Sequence, residues 1–157
     1  MICAGGTNFP DKPMLEGGAK TWTDRIFTLS PGENGWTEAG TLPAPYAYGA
    51  SASTREGLLC IGGCGKEGHR KDVYLLSTAD GAVTVTPFPP LPIALAYTAA
   101  AVLGGKVYLT GGCERPGEQD CTNRVFMLDA RGPEQGWQEL DPVSYTHLRA
   151  HETKANL

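Results

Sequence analysis

Short apolar runs alternate with polar stretches along this chain, and they do so in a repeated order. A first unit reads MICAGG, a loop, DRIFTL, a turn, then GWTEAGTLPAPYAYGASAS. A second reads GLLCIGG, a loop, KDVYLL, a turn, then VTVTPFPPLPIALAYTAAAVL; a third reads KVYLTGG, a loop, NRVFML, a turn, then GWQELDP. Runs of this kind, bounded by Gly, Pro, Asn and Asp, predict strands and tight turns rather than helices. Each Gly-Gly pair (Gly5-Gly6, Gly62-Gly63, Gly111-Gly112) closes an apolar run, where the backbone needs positive φ or close approach. Ile26-Phe27, Val73-Tyr74 and Val125-Phe126 are β-formers in the run that follows. Trp36 and Trp137 open the last run of their units and are expected to pack between neighbouring units.

The repeat recurs on the order of every 50 residues, the range of kelch-type propeller blades. Those marks predict an all-β fold, a kelch-type β-propeller fragment of about three blades, whereas closed propellers use roughly four to eight. The first unit lacks an innermost strand before MICAGG. The chain is therefore expected to be an internal piece of a larger ring, with Met1 an internal methionine. Two open blade edges would make such a piece marginal or prone to aggregate. The propeller part is expected to occupy residues 1–142. Residues 143–157 are expected to be a non-native tail, because the stretch from Val143 to Thr153 resembles the translation of a common transposase sequencing adapter. His147, Arg149, His151 and Glu152 are accordingly not read as a catalytic cluster.

Composition sharpens this picture in a few places. The 157 residues include 21 Gly and 12 Pro, with 41% hydrophobic and 19% charged positions, which suits one turn-rich globular domain. A net charge of −4 gives no basic footprint for nucleic acid. No apolar stretch approaches the roughly 18 residues of a membrane span, and no signal peptide is visible. Five cysteines occur without a Cys-x-x-Cys pair, so no metal site is expected. Cys3 and Cys60 lie in apolar runs and are expected to be buried free thiols, while Cys113 and Cys121 bracket one loop and could be bridged. This usage leans toward a reducing, cytoplasmic compartment. The Gly-Gly pairs do not form a phosphate loop, because no Gly-x-Gly-x-x-Gly string is present.

Strand order then selects a functional face. With strands a to d running outward from the centre of each blade, the b–c loops and the d–a segments emerge together. The b–c loops TNFPDKPMLEGGAKTWT, CGKEGHRK and CERPGEQDCT are long, whereas the turns of the other face are short. Long loops on a rigid scaffold are where binding residues concentrate. The candidates on that face are Asn8, Asp11, Glu16, Lys20, Tyr46, Tyr48, Glu67, His69, Arg70, Glu114 and Arg115. Asn8 and Asp11 flank Phe9-Pro10 and could equally cap a turn. Arg70 is suited to take a substrate carboxylate through its guanidinium fork. His69 has no acidic or hydroxyl partner nearby in sequence, and no nucleophile elbow occurs.

The string GGTNFPDKPMLEGGAKTWTDRIFTL, followed by LPAPYAYGASAS and CIGG, resembles the kelch-type sialic acid mutarotases, also called N-acetylneuraminate epimerases, and within them the cyclically permuted branch. The likeness extends from Met1 to about Pro142. It implies a six-bladed propeller from a bacterial, cytoplasmic or periplasmic protein, interconverting the anomers of the sugar acid N-acetylneuraminate by acid–base ring opening and closure. No metal or organic cofactor is implied. The family is thought to use a Glu and an Arg, which makes Glu16, Glu67 and Arg70 the catalytic candidates. Asn8, Asp11, Lys20, Tyr48, Glu114 and Arg115 become the substrate-binding candidates. The alternative is a non-catalytic kelch protein-interaction module. A kelch copper radical oxidase would need Tyr, His and a cross-linked Cys, and the lone His69 outside the tail argues against it.

Overall fold

The computed structural model describes residues 1–79, 82–117 and 121–141. Strands β1 (Ile2–Ala4), β2 (Thr7–Asn8), β3 (Thr21–Trp22), β4 (Arg25–Thr28) and β5 (Thr37–Thr41) make up the first unit. The second contains β6 (Ala50–Ser53), β7 (Leu58–Ile61), β8 (Cys64–Gly65), β9 (Gly68–His69), β10 (Val73–Ala79) and β11 (Ala82–Phe88). The third contains β12 (Ala99–Leu103), β13 (Lys106–Thr110), β14 (Val125–Asp129) and β15 (Gln138–Leu140). The second and third units are four-stranded antiparallel sheets ordered β6-β7-β10-β11 and β12-β13-β14-β15. The first is β1-β4-β5, with no strand inside β1 among the described residues. This is an all-β kelch-propeller fragment, and the unit boundaries follow the repeat in the sequence. The expected tail, residues 143–157 with His147, Arg149, His151 and Glu152, lies outside the described residues.

Side-chain alternation decides what each blade buries. In β7 and β10, Leu59, Ile61, Val73 and Leu75 point toward the third blade, while Leu58, Cys60, Tyr74 and Leu76 point toward the first. The second-to-third interface closes over Val107, Leu109, Phe126 and Leu128, all fully buried, together with Leu91 and Leu95. The first-to-second interface is smaller and centres on Ile26, Leu42, Tyr46, Cys60 and Leu76. Tyr46 belongs to this core, where burial pushes its phenol far above the ordinary range.

The same alternation corrects two expectations. Trp137 is buried and its indole N–H donates to the carbonyl of Pro89 at 2.9 Å, which is the expected packing between blades. Trp36 holds the matching place before β5 yet is 49% exposed. Its side chain faces away from the second blade, and no blade stands on that side among the described residues. Cys3 is exposed for the same reason. It pairs across the sheet with Phe27, on the outward face that corresponds to Leu109 and Phe126 in the third blade. Cys60 is buried as expected, and no disulfide joins Cys113 to Cys121.

Candidate functional site

The b–c loops of the first two blades are not irregular. Each folds back on itself as a short antiparallel ribbon, β2 with β3 and β8 with β9. In the first ribbon the Thr21 hydroxyl bonds both the main chain and the side-chain oxygen of Asn8, which fixes Lys20 and Trp22 at its base. The d–a segments come up beside these ribbons. Ala47 makes an antiparallel bridge with Cys64, and Ala96 makes the equivalent bridge with Cys113 one blade later. The next residue in each segment is a tyrosine in the left-handed region, Tyr48 at φ 60° and Tyr97 at φ 62°. Bulky residues rarely adopt that conformation, and the strain is characteristic of functional sites. The Tyr97 N–H donates to the Tyr48 carbonyl at 2.8 Å, so the two segments are tied to one another.

These backbones line up a row of rings. Tyr48 and Tyr97 lie with centroids 5.1 Å apart and planes tilted by 37°. Trp22 meets Tyr48 edge-on at 5.9 Å, and His69 meets Tyr97 edge-on at 6.1 Å. Lys20 Nζ stands 4.6 Å from the Tyr48 ring centre and 5.0 Å from that of Trp22, within cation–π range of both. The Tyr48 hydroxyl is also 3.2 Å from the hydroxyl of Thr7.

The two tyrosines differ in their chemistry. The Lys20 ammonium, and then the hydrogen bond shared with Thr7, hold the Tyr48 phenol below its ordinary range, and the phenol in turn raises Lys20. Tyr97 is pushed up, first by burial and then by the neighbouring Cys64 thiol.

Two clefts flank the row. The larger, about 800 Å³, runs between the ribbons and is lined by Lys20, Trp22, Glu67, His69, Arg70 and the main chain around Pro45 and Gly65. The smaller, about 230 Å³, shares Lys20, Trp22 and His69 and adds Cys64, Tyr97 and Arg115. On the opposite face, a cleft of about 590 Å³ carries no charged side chain. A further cleft on that face, about 340 Å³, is lined by Arg55, Glu56 and Arg131, so charge is present on both faces, whereas aromatic side chains line only the two clefts of the long-loop face.

The sequence candidates divide accordingly. Lys20, Glu67 and Arg70 line the larger cleft and Arg115 the smaller, while Tyr48 lines neither and lies beneath Lys20, whose Nζ is 4.6 Å from its ring centre. Arg70 donates from Nε to Asp72 at 2.7 Å, leaving its terminal nitrogens without a protein hydrogen bond among the described residues. Glu67 sits exposed at the tip of the β8–β9 ribbon. Asn8 is spent on its ribbon, and Asp11 and Glu16 are exposed on the far part of that loop, where neither lines either cleft. Glu114 pairs with Arg124, which also grips Glu139 through two bonds of 2.7 Å. Trp22 and Tyr97 were not among the sequence candidates. The repeated Ala-Tyr step, Ala47-Tyr48 and Ala96-Tyr97, is the signal that singles out Tyr97. Among the described residues no three His, Cys, Asp or Glu side chains converge as metal ligands do.

Comparison with known proteins agrees with the blades. The Kelch motif matches residues 94–134, which run from the second d–a segment past β14 and stop short of β15. The chain is 34% identical over 95 residues to the N-acetylneuraminate epimerase of Brucella suis, and 34% identical over 96 residues to that of Vibrio cholerae. Each alignment covers 54% of this chain and 24% of the relative, so the chain spans about a quarter of the length of these curated relatives. A putative adagio-like protein 2 of rice is 27% identical over 127 residues, covering 77% of this chain and 20% of that protein. The chain is thus partly homologous to named epimerases and carries a kelch motif.

Proposed function

We propose that this chain contributes part of the substrate face of a mutarotase that interconverts the anomers of N-acetylneuraminate. The observation that carries the reading is the cleft that Trp22, Lys20 and Arg70 line together, with Tyr48 and Tyr97 continuing the row of rings beside it. Aromatic faces take the C–H surface of a sugar, and a guanidinium with unoccupied terminal nitrogens takes a carboxylate. That combination suits a sugar acid better than a neutral sugar or an anion alone. The names of the bacterial relatives support the same choice.

The chemistry asks little of the protein. A base removes the proton of the anomeric hydroxyl while an acid protonates the ring oxygen; the C–O ring bond breaks and a ketone forms. Reclosure on the other face of the ketone reverses these transfers and gives the other anomer. In this reading Arg70 holds the substrate carboxylate and the rings hold the sugar. The cleft offers two proton carriers, Glu67 at its rim and the Tyr48–Lys20 pair beside it.

A second reading, a kelch protein-interaction module without catalysis, draws on the Kelch motif at residues 94–134. Calorimetry separates the two. Protein expressed from the full reading frame is expected to bind N-acetylneuraminate, and Arg70→Ala is expected to weaken that binding about 10- to 100-fold, the loss of a charged hydrogen bond. Binding of a neutral N-acetylhexosamine should not change in the same variant. No binding of the sugar acid, or equal losses for both sugars, would favour the interaction module.

A further inference from the structure

We infer that Tyr48 and Lys20 form the proton-transfer pair of this site, Tyr48 as the base at the anomeric hydroxyl and Lys20 as the acid at the ring oxygen. The inference rests on the sugar-acid reading above and deepens it. Glu67 has the right chemistry, but it stands exposed at a ribbon tip. Tyr48 is also exposed, at 38%, but neighbouring side chains fix its ring and hydroxyl. Thr7 bonds its hydroxyl, Trp22 meets its edge, Tyr97 lies on its ring, and Lys20 sits 4.6 Å from its centre. Its backbone is locked in the left-handed region by the Ala47–Cys64 bridge before it and the Tyr97 bond to its carbonyl. Positioning of that kind is what a proton carrier needs.

The second tyrosine serves as an internal contrast. Tyr97 occupies the same place in the next repeat with the same strained φ, yet its phenol faces the Cys64 thiol instead of a lysine. The titratable groups around Tyr48 are Lys20 from the β2–β3 ribbon, Cys64 from β8 and Tyr97 from the next d–a segment, with His69 behind Tyr97. Two chemically identical side chains are thereby driven apart in acidity, the pattern that marks acid–base assignments in active sites.

The transfers balance. Tyr48 as phenolate accepts the anomeric proton and becomes a phenol, while Lys20 as ammonium gives a proton to the ring oxygen and becomes an amine. Breaking the ring C–O bond and forming the carbonyl move one electron pair through the substrate, with no oxidant or leaving group. Closure returns both protons to their origins. The rate should rise with pH as Tyr48 ionises and fall as Lys20 loses its proton. Their proximity lowers the first and raises the second, which widens the active window.

Two readouts on protein from the full reading frame test the pair. In a tyrosinate ultraviolet titration, one phenol should ionise ahead of the rest; Tyr48→Phe removes it, and Lys20→Met returns it to the others. In anomerisation, Tyr48→Phe should lower kcat about 10²- to 10⁴-fold with KM little changed. Lys20→Arg should keep the early phenol while losing kcat, because a guanidinium holds a charge but does not give up a proton. It also stands in for Lys20→Met if that variant does not fold. An active wild type whose Tyr48→Phe variant keeps its kcat overturns the pair and leaves the sugar-acid reading standing. A wild type that shows the early phenol but no anomerisation overturns that reading, and the catalytic role of the pair with it.

Discussion

Phe126→Ala is expected to destabilise this chain by about 3–5 kcal/mol, read as a fall in the urea midpoint of unfolding. Phe126 is fully buried at the join of the second and third blades, beside Leu109 and Leu128. Blades touch mainly through such faces, so a cavity there cannot be closed by moving one strand without breaking its ladder. Phe27 provides the contrast. It occupies the same register position in the first blade, paired with Cys3 as Phe126 is with Leu109. Its face meets no other blade among the described residues, and Arg25, paired with Glu38, lies over its ring at 4.8 Å. Phe27→Ala should cost only about 1 kcal/mol, mostly the cation–π contact and partial burial. Equal losses for the two variants would mean that another surface covers Phe27 in solution.

Gly63→Ala is expected to cost about 3 kcal/mol or more and to take the site with it. Gly63 has φ +97°, and a Cβ there would lie 2.6 Å from the Ala47 carbonyl oxygen and 2.8 Å from the Gly49 nitrogen. Both contacts are main chain, so no rotamer change relieves them. The atoms that must move carry the Ala47–Cys64 bridge, whose two hydrogen bonds are 2.9 and 2.8 Å, and Tyr48 follows directly after Ala47. Gly104→Ala is the control. Its φ is +59° but its surroundings are open, so it should lose only the conformational part, about 1–2 kcal/mol. Thermal midpoints order the two variants. The early-ionising phenol should vanish in Gly63→Ala and persist in Gly104→Ala; the reverse order would contradict the close-approach role of Gly63.

The blades were legible in the sequence because strand pattern, Gly-Gly stops and the following aromatic recur together, and each has a local physical cause. What surrounds each blade was not legible. Trp36 and Trp137 read alike, but only Trp137 has a neighbouring sheet on its side, and Cys3 reads as buried until its outward face is known. In the site, the choice of face followed from loop lengths, and Lys20, Tyr48, Glu67 and Arg70 were chosen on that ground. The meeting of Lys20 with Tyr48 depends on a ribbon inside a loop and on a tyrosine at positive φ, which side-chain types alone do not encode. Tyr97 could have been found from the repeated Ala-Tyr step. The Arg70–Asp72 bond was open to reading as well, since two residues of spacing place both on one side of an extended segment.

The sugar-acid reading itself meets its most direct test in proton NMR of N-acetylneuraminate freshly released by a sialidase as a single anomer. With protein from the full reading frame present, the two anomeric populations should reach equilibrium markedly faster than in buffer, and Tyr48→Phe should return the approach to the buffer rate. An unchanged approach to equilibrium with and without the wild-type protein would contradict it.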